Sequence, residues 1–276
     1  MPNRESFIEL SARERAKVLL DKGTFRDLLG PFDRIESPWL KPQGIVPQAD
    51  DGMVVAKGTL DGKPTVVVAI EGAFQGGSMG EVSGAKMAAA LELAAQDCKA
   101  GKPVQAVLCL ETGGVRLQEA NLGLAAIADI HAAIVNLRQY VPVIGVIAGT
   151  VGCFGGMSIA AGLCSYLLVT KEARLGLNGP QVIEQEAGIA EYDSRNKPFI
   201  WEMTGGETRS QAHFVDYLVA DDFETIRNAV VHCGQRGVPS QFRSDCCEEY
   251  LAKLKSFDST KQANKTEILN LFGKES

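Results

Sequence analysis

Val104-Gln-Ala-Val-Leu-Cys-Leu-Glu-Thr-Gly-Gly-Val-Arg116 and Val141-Pro-Val-Ile-Gly-Val-Ile-Ala-Gly-Thr-Val-Gly-Cys-Phe-Gly-Gly156 share one pattern. Each is a short apolar run closed by a glycine pair. Apolar runs of this length, rich in β-branched residues and bounded by glycine, read as buried strands. Helical periodicity follows both. Residues 121–139 place Leu122, Ala126, Ile130, Ala133, Ile134 and Leu137 on roughly one face. A third copy of the pattern lies upstream, where Pro64–Ile70 leads through Gly76-Gly-Ser-Met-Gly80 into an alanine-rich helix ending near Cys98. Strand, glycine turn and helix in repetition imply parallel pairing with right-handed crossovers.

A doubly wound nucleotide-binding fold is the first candidate for such a repeat. No turn here matches G-x-G-x-x-G with its distal acid, and no G-x-x-x-x-G-K-[ST] occurs. The Val-rich runs 53–60 and 64–70 flank Asp61-Gly62, a hairpin signal that the doubly wound fold does not need. A coiled stack of β-β-α units accommodates both the hairpin and the repeat. Outside it, Ser11-Ala-Arg-Glu14 opens a helix with a capping box. Residues 30–52, with four prolines, read as an extended arm or loop. The sequence divides into an N-terminal helix and arm (1–50), a core (51–235) and a helical tail (236–276) within one domain of 276 residues.

Composition narrows the function. Lys+Arg 28 against Asp+Glu 34 gives a net charge of -6, which argues against a nucleic-acid binder or a basic membrane anchor. Residues 139–170 carry no charge, but six glycines and Pro142 break the run into strand, loop and helix rather than a membrane span. The first ten residues hold Arg4, Glu5 and Glu9 and do not resemble a signal peptide. Seven cysteines, an odd number without a C-x-x-C pair, suggest free buried thiols in a reducing cytoplasm and no zinc site. His131, His213 and His232 stand in no metal or triad motif, and no G-x-S-x-G elbow exists. Cys153 is a candidate nucleophile by position alone; packing is the simpler reading.

What remains is backbone chemistry. The first turn of a helix has unpaired N–H groups, and glycine lets a ligand oxygen approach them. Gly113, Gly114 and Val115 could polarise a carbonyl, and Gly155 and Gly156 could supply further donors, together an oxyanion hole. A glycine pair at a strand–helix junction also has a plain packing reading.

In order along the chain, Leu19-Leu-Asp-Lys-Gly-Thr-Phe25, Glu71–Gly80 with Gly84 and Lys86, Thr112–Glu119, Val141–Ile144, Gly155-Gly156 and Leu177-Asn-Gly-Pro-Gln-Val-Ile-Glu-Gln185 resemble the motifs of biotin-dependent carboxyltransferase domains. Those domains belong to the crotonase-like superfamily, so the resemblance implies an α/β fold of the crotonase-like ββα superhelix type. It runs from about residue 10 to 235. Tyr192–Trp201 and Thr204–Arg209, and the lack of an N-terminal four-cysteine zinc ribbon, make the malonate decarboxylase branch the most similar. Cys153-Phe154 departs from the threonine-rich approach to the second glycine pair that many of these domains have.

The resemblance implies decarboxylation of a malonyl thioester through an enolate. The thioester would ride on the phosphopantetheine-like group of an acyl-carrier protein subunit, with no cofactor bound to this chain and biotin involved in some systems. A γ subunit would share the active site and an acyl transferase subunit would complete the assembly. Gly76, Gly77 and Ser78 would line the thioester path, with Arg116, Gln118 and Asn178 beside it. Arg116 is open between a structural and a substrate role. Two other readings stand: a biotin-linked acyl-CoA carboxyltransferase β subunit, or a crotonase-like hydratase or hydrolase using Glu111 and Glu119. A scaffold whose glycine turns only pack is the non-enzymatic reading.

Overall fold

The computed structural model describes residues 5–46, 51–258, 260 and 263–273. The outermost parts of the expected arm and tail, 1–4, 47–50 and 274–276, lie outside the described residues. Seven strands form one sheet in sequential order: β1 (Arg26–Leu29), β2 (Met53–Leu60), β3 (Lys63–Ile70), β4 (Gln105–Cys109), β5 (Val143–Ile147), β6 (Tyr166–Thr170) and β7 (Tyr217–Val219). The pairs β1–β2 and β2–β3 are antiparallel, and every later pair is parallel. A doubly wound sheet reverses its strand order at a switch point. This one never reverses, so each crossover steps the same way and the chain coils.

The hairpin sits where the Asp61-Gly62 turn predicts it, with Asp61 at φ +51° and Gly62 at φ +74°. The helices are α1 (Ala12–Leu19), α2 (Glu81–Lys99), α3 (Asn121–Leu137), α4 (Gly156–Leu163), α5 (Pro180–Ala187), α6 (Lys197–Thr204), α7 (Gly206–Gln211), α8 (Phe223–Arg236), α9 (Cys247–Lys255) and α10 (Lys265–Phe272). Ser11 caps α1 with the expected capping box.

Side chains alternate across the sheet and both faces are covered. Val55, Val68, Leu108, Ile147 and Leu167 pack with Met87, Leu91, Ile130 and Met157 from α2, α3 and α4. Val54, Val67, Val107, Val146 and Leu168 face Leu19, Ile226 and Val230 from α1 and α8. Burial on both faces explains why the strands read as continuous apolar runs.

Between each parallel strand and its helix the chain adds a second, shorter extended piece. These pieces pair with one another: Met79 with Val115, Thr112 with Cys153, and Cys153 with Leu175, all parallel, with Arg174 antiparallel to Gly205. This second ladder supplies the repeated β of the β-β-α unit, and it carries both glycine turns. Two local details are added. The arm or loop holds two 3-10 turns, Pro31–Asp33 and Lys41–Gln43. Arg26–Leu29, invisible to alternation because three of its four residues are exposed, adds an edge strand to β2.

Candidate active site

The second ladder brings the two glycine pairs together. Thr112 N–H donates to Gly152 O at 2.8 Å and Phe154 N–H donates to Thr112 O at 3.0 Å, so the turns are held in register. A methyl group placed on Gly114 would lie 3.2 Å from Phe154 O and 3.3 Å from Gly155 Cα. Gly114 has φ +106° and Gly155 φ +61°, conformations that glycine adopts without strain. Here the contact and the dihedrals both require glycine.

The donor inventory is narrower than the sequence suggests. Gly113 N–H is spent on Gly76 O at 2.8 Å, Gly114 N–H on Thr112 Oγ1 at 3.1 Å, and Gly155 N–H on Leu177 O at 2.7 Å. Three of the five positions thus have their N–H groups engaged within the chain. Val115 and Gly156 remain, and no described residue accepts from either N–H. The causes differ. Val115 is bridged to Met79 on one side, where Met79 N–H donates to Gly114 O and Arg116 N–H to Met79 O. Its own N–H therefore points to the other side of the ladder. Gly156 opens α4, whose first-turn amides have no intrahelical partner. His131 Nε2 bonds to Gly156 O at 2.7 Å, and with a carbonyl as acceptor that nitrogen carries the proton. Nothing in its position on the helix face marks this histidine as the residue that holds the second turn.

The loop Gly76–Ser78 packs against the first turn. Gly77 is seated on the Glu111 backbone, where any side chain would overlap the Glu111 carbonyl. Arg116 is 3% exposed and its guanidinium is fully engaged. Nη1 pairs with Glu119 Oε1 at 2.9 Å, Nη2 donates to Ser78 O at 2.9 Å and to Asp51 O at 3.2 Å, and Nε reaches Ser78 Oγ at 3.4 Å. It also stands over the Phe74 ring. These contacts are those a structural role for Arg116 requires. Gln118 and Asn178 are exposed, on the 3-10 turn after Arg116 and on the loop that receives Gly155 N–H.

The acid pair needed by a hydratase is spent. Glu119 binds Arg116 and accepts Glu81 N–H at the start of α2 at 2.7 Å. Glu111 pairs with Arg15 and accepts Val151 N–H at 3.2 Å. Cys153 is fully buried and burial pushes its thiol well above the ordinary range, which removes the thiolate a nucleophile needs. Among the described residues no group of three His, Cys, Asp or Glu could hold a metal ion, and no helix is long and apolar enough to cross a membrane. Around the turns the elements expose large apolar side chains: Leu117 (81%), Leu177 (60%), Leu124 (52%) and Ile159 (49%).

Residues 9–250 match the Carboxyl transferase domain family. Over 233 residues, 81% of this chain and 73% of the relative, the sequence is 42% identical to the malonyl-S-ACP:biotin-protein carboxyltransferase MADC of Malonomonas rubra. A chain of a Pseudomonas malonate decarboxylase hetero-tetramer, crystallised in complex with malonate, superposes with a TM-score of 0.92 at 63% identity, covering 98% of both chains. A chain of the Pseudomonas malonate decarboxylase MdcD-MdcE hetero-dimer gives a TM-score of 0.78 at 58% identity, covering 92% of this chain and 97% of that one.

Proposed function

The chain belongs to the carboxyl transferase domain family, and from that premise we propose that it is the β-type subunit of a malonate decarboxylase, releasing CO2 from a malonyl thioester. The observation that carries the reading is the pair of unpartnered N–H groups, Val115 and Gly156, on two abutting turns.

Decarboxylation needs little else. The bond between Cα and the carboxylate breaks, CO2 departs, and the electron pair moves through Cα to the thioester oxygen. Two preorganised backbone donors stabilise that oxyanion, each worth roughly 10²–10³ in turnover. A proton then adds at Cα to give the acetyl thioester. No nucleophile is consumed, which suits a site whose cysteine is buried and whose acids are paired.

In this reading Gly76–Ser78 flank the path of a phosphopantetheine arm carried by an acyl-carrier protein, and Gln118 and Asn178 form its outer wall. Gly113, Gly114 and Gly155 shape the turns, and Arg116 holds the first of them. Residues 51–235 are the catalytic core, with the 1–50 arm and the 236–276 tail around it. The exposed leucines beside the turns fit a γ subunit that closes the site from the other side, with an acyl transferase subunit loading the carrier. The same C–C cleavage serves a relative that passes the carboxyl group to biotin, so avidin separates the two outcomes. Co-expressed with its γ-type partner, the chain should release 14CO2 from carboxyl-labelled malonyl thioester without inhibition by avidin. Avidin-sensitive turnover would assign it to carboxyl transfer; no turnover with any partner would refute both.

A further inference from the structure

Glu111 is the last residue before the first glycine turn, and its side chain, only 7% exposed, lies beneath the site. One oxygen pairs with Arg15; the other accepts Val151 N–H, in the turn leading to Gly155-Gly156. Two glycines vacate the space it fills. A methyl on Gly72, after β3, would lie 2.8 Å from Glu111 Cγ, and one on Gly149, after β5, would overlap the carboxylate. The ends of three successive parallel strands therefore close on one side chain. Arg15 is equally tied down: Nε donates to Phe7 O at 3.1 Å, Nη2 to Ile8 O at 2.6 Å, and the guanidinium stands over the Phe7 ring. This carries the anchorage back to the segment that opens α1, outside the repeated β-β-α units.

A buried ion pair is a poor source of stability, because desolvating both charges costs about as much as their attraction returns. Its distinctive product is a fixed geometry, here the placement of the turn after β5 relative to the turn after β4. We propose that Arg15 and Glu111 are positioning residues, which set the separation of the Val115 and Gly156 donors and so make the N-terminal helix part of the catalytic apparatus. Neither touches substrate. The inference rests on the decarboxylase reading for its kinetic consequence, though not for the clamp itself.

The test uses the assembled complex with Glu111→Gln, Arg15→Met and the double variant. Each single variant leaves one buried charge unpaired; the double variant leaves none. The two singles should lower the melting temperature and reduce kcat by about 10–100-fold with KM within about 2-fold, as expected for misplaced rather than missing donors. In the double variant the melting temperature should recover while kcat stays low, and amide exchange over 149–156 should remain about tenfold faster than in the parent. Recovery of kcat in step with stability, a folded Glu111→Gln with parental kcat, or unchanged exchange over 149–156 would overturn the clamp. A parent complex that releases no CO2 would instead refute the decarboxylase reading, and the exchange measurement alone would then decide the clamp.

Discussion

The turn 112–116 and the turn 153–156 each present one backbone N–H that no described residue accepts, yet they are built from different materials. The first is braced by charge. Arg116 ties it to Glu119, to the Ser78 loop and to Asp51, and Glu119 in turn caps α2 through Glu81 N–H. The hydrogen bonds of the second turn itself go to neutral groups, namely Leu177 O, the Thr112 and Arg174 carbonyl ladder, and His131 on Gly156 O, and charge reaches only its approach and the Phe154 ring, through Glu111 and Arg174. The donors also arise differently, one from the outward side of a β-bridge and one from the open end of a helix. Similar chemistry thus comes from two backbone devices, and mutations should separate them.

The largest effect should come from crowding the contact itself. Gly114→Ala forces a side chain into φ +106° and against Phe154 O, whereas Gly156→Ala keeps an ordinary backbone and meets Ile127 Cγ2 at 2.8 Å. Both should lower turnover of the assembled enzyme by roughly 10²–10³. Only Gly114→Ala should also lower the melting temperature through its backbone; calorimetry beside a CO2-release assay reads both.

Next come the braces. Arg116→Met strands Glu119 as an unpaired buried carboxylate and should destabilise the fold by about 3–5 kcal/mol, with Arg116→Met/Glu119→Gln regaining much of it. His131→Leu removes a single neutral bond from Gly156 O and should cost only about 1 kcal/mol. Denaturant titration of the four proteins checks whether the charged brace of Arg116 outweighs the neutral bond of His131.

How much of this was legible beforehand divides along the same line. The strands β3 to β6, the hairpin at Asp61-Gly62 and the repeated unit are written in apolar runs and glycine turns, because the parallel strands are buried on both faces and polar residues in them are few. The non-reversing strand order was legible only through the hairpin and the ordered motifs. Which amides are free was not legible. Gly113 and Val115 are two residues apart, yet one donates into the chain and the other outward, and that depends on which edge of the second ladder each faces. Nor could spacing show that Glu111 and Glu119 face inward to arginines, since each partner lies on a different turn of the coil or is set by a 3-10 bend. The β1 edge strand was missed because Arg26-Asp27-Leu28 is exposed and carries no alternation.

Smaller effects test the surroundings. Burial pushes the thiols of Cys109 and Cys164 up to about 12 and Cys153 higher still, while Cys247 is exposed. Native protein at pH 8 should therefore label fast at Cys247 and not at Cys153, with activity retained; mass spectrometry of alkylated peptides reads this directly. Far from the site, burial pushes the Asp21 carboxyl up, but bonds from Thr59, Gly62 and Asp61 and the nearby Arg227 together hold it below its ordinary value. A depressed carboxylate stabilises the fold at neutral pH, and that contribution is lost as pH falls through its folded-state value. Asp21→Asn should cost about 1–2 kcal/mol at pH 7, with the difference from the parent closing in strong acid.

The most direct test of the donor account removes the Val115 N–H while keeping its side chain, at the cost of weakening Gly114 O as the acceptor of Met79 N–H. Replacing the Val115 amide by an ester, through incorporation of the α-hydroxy acid analogue of valine, keeps the side chain and deletes the hydrogen that no described residue accepts. In the assembled enzyme we predict a fall in kcat of roughly 10²-fold, as for loss of one oxyanion donor, with the melting temperature lowered only slightly by the weaker Met79 N–H to Gly114 O bond. Parental kcat in the folded, assembled ester variant would contradict the claim that Val115 N–H holds the developing enolate.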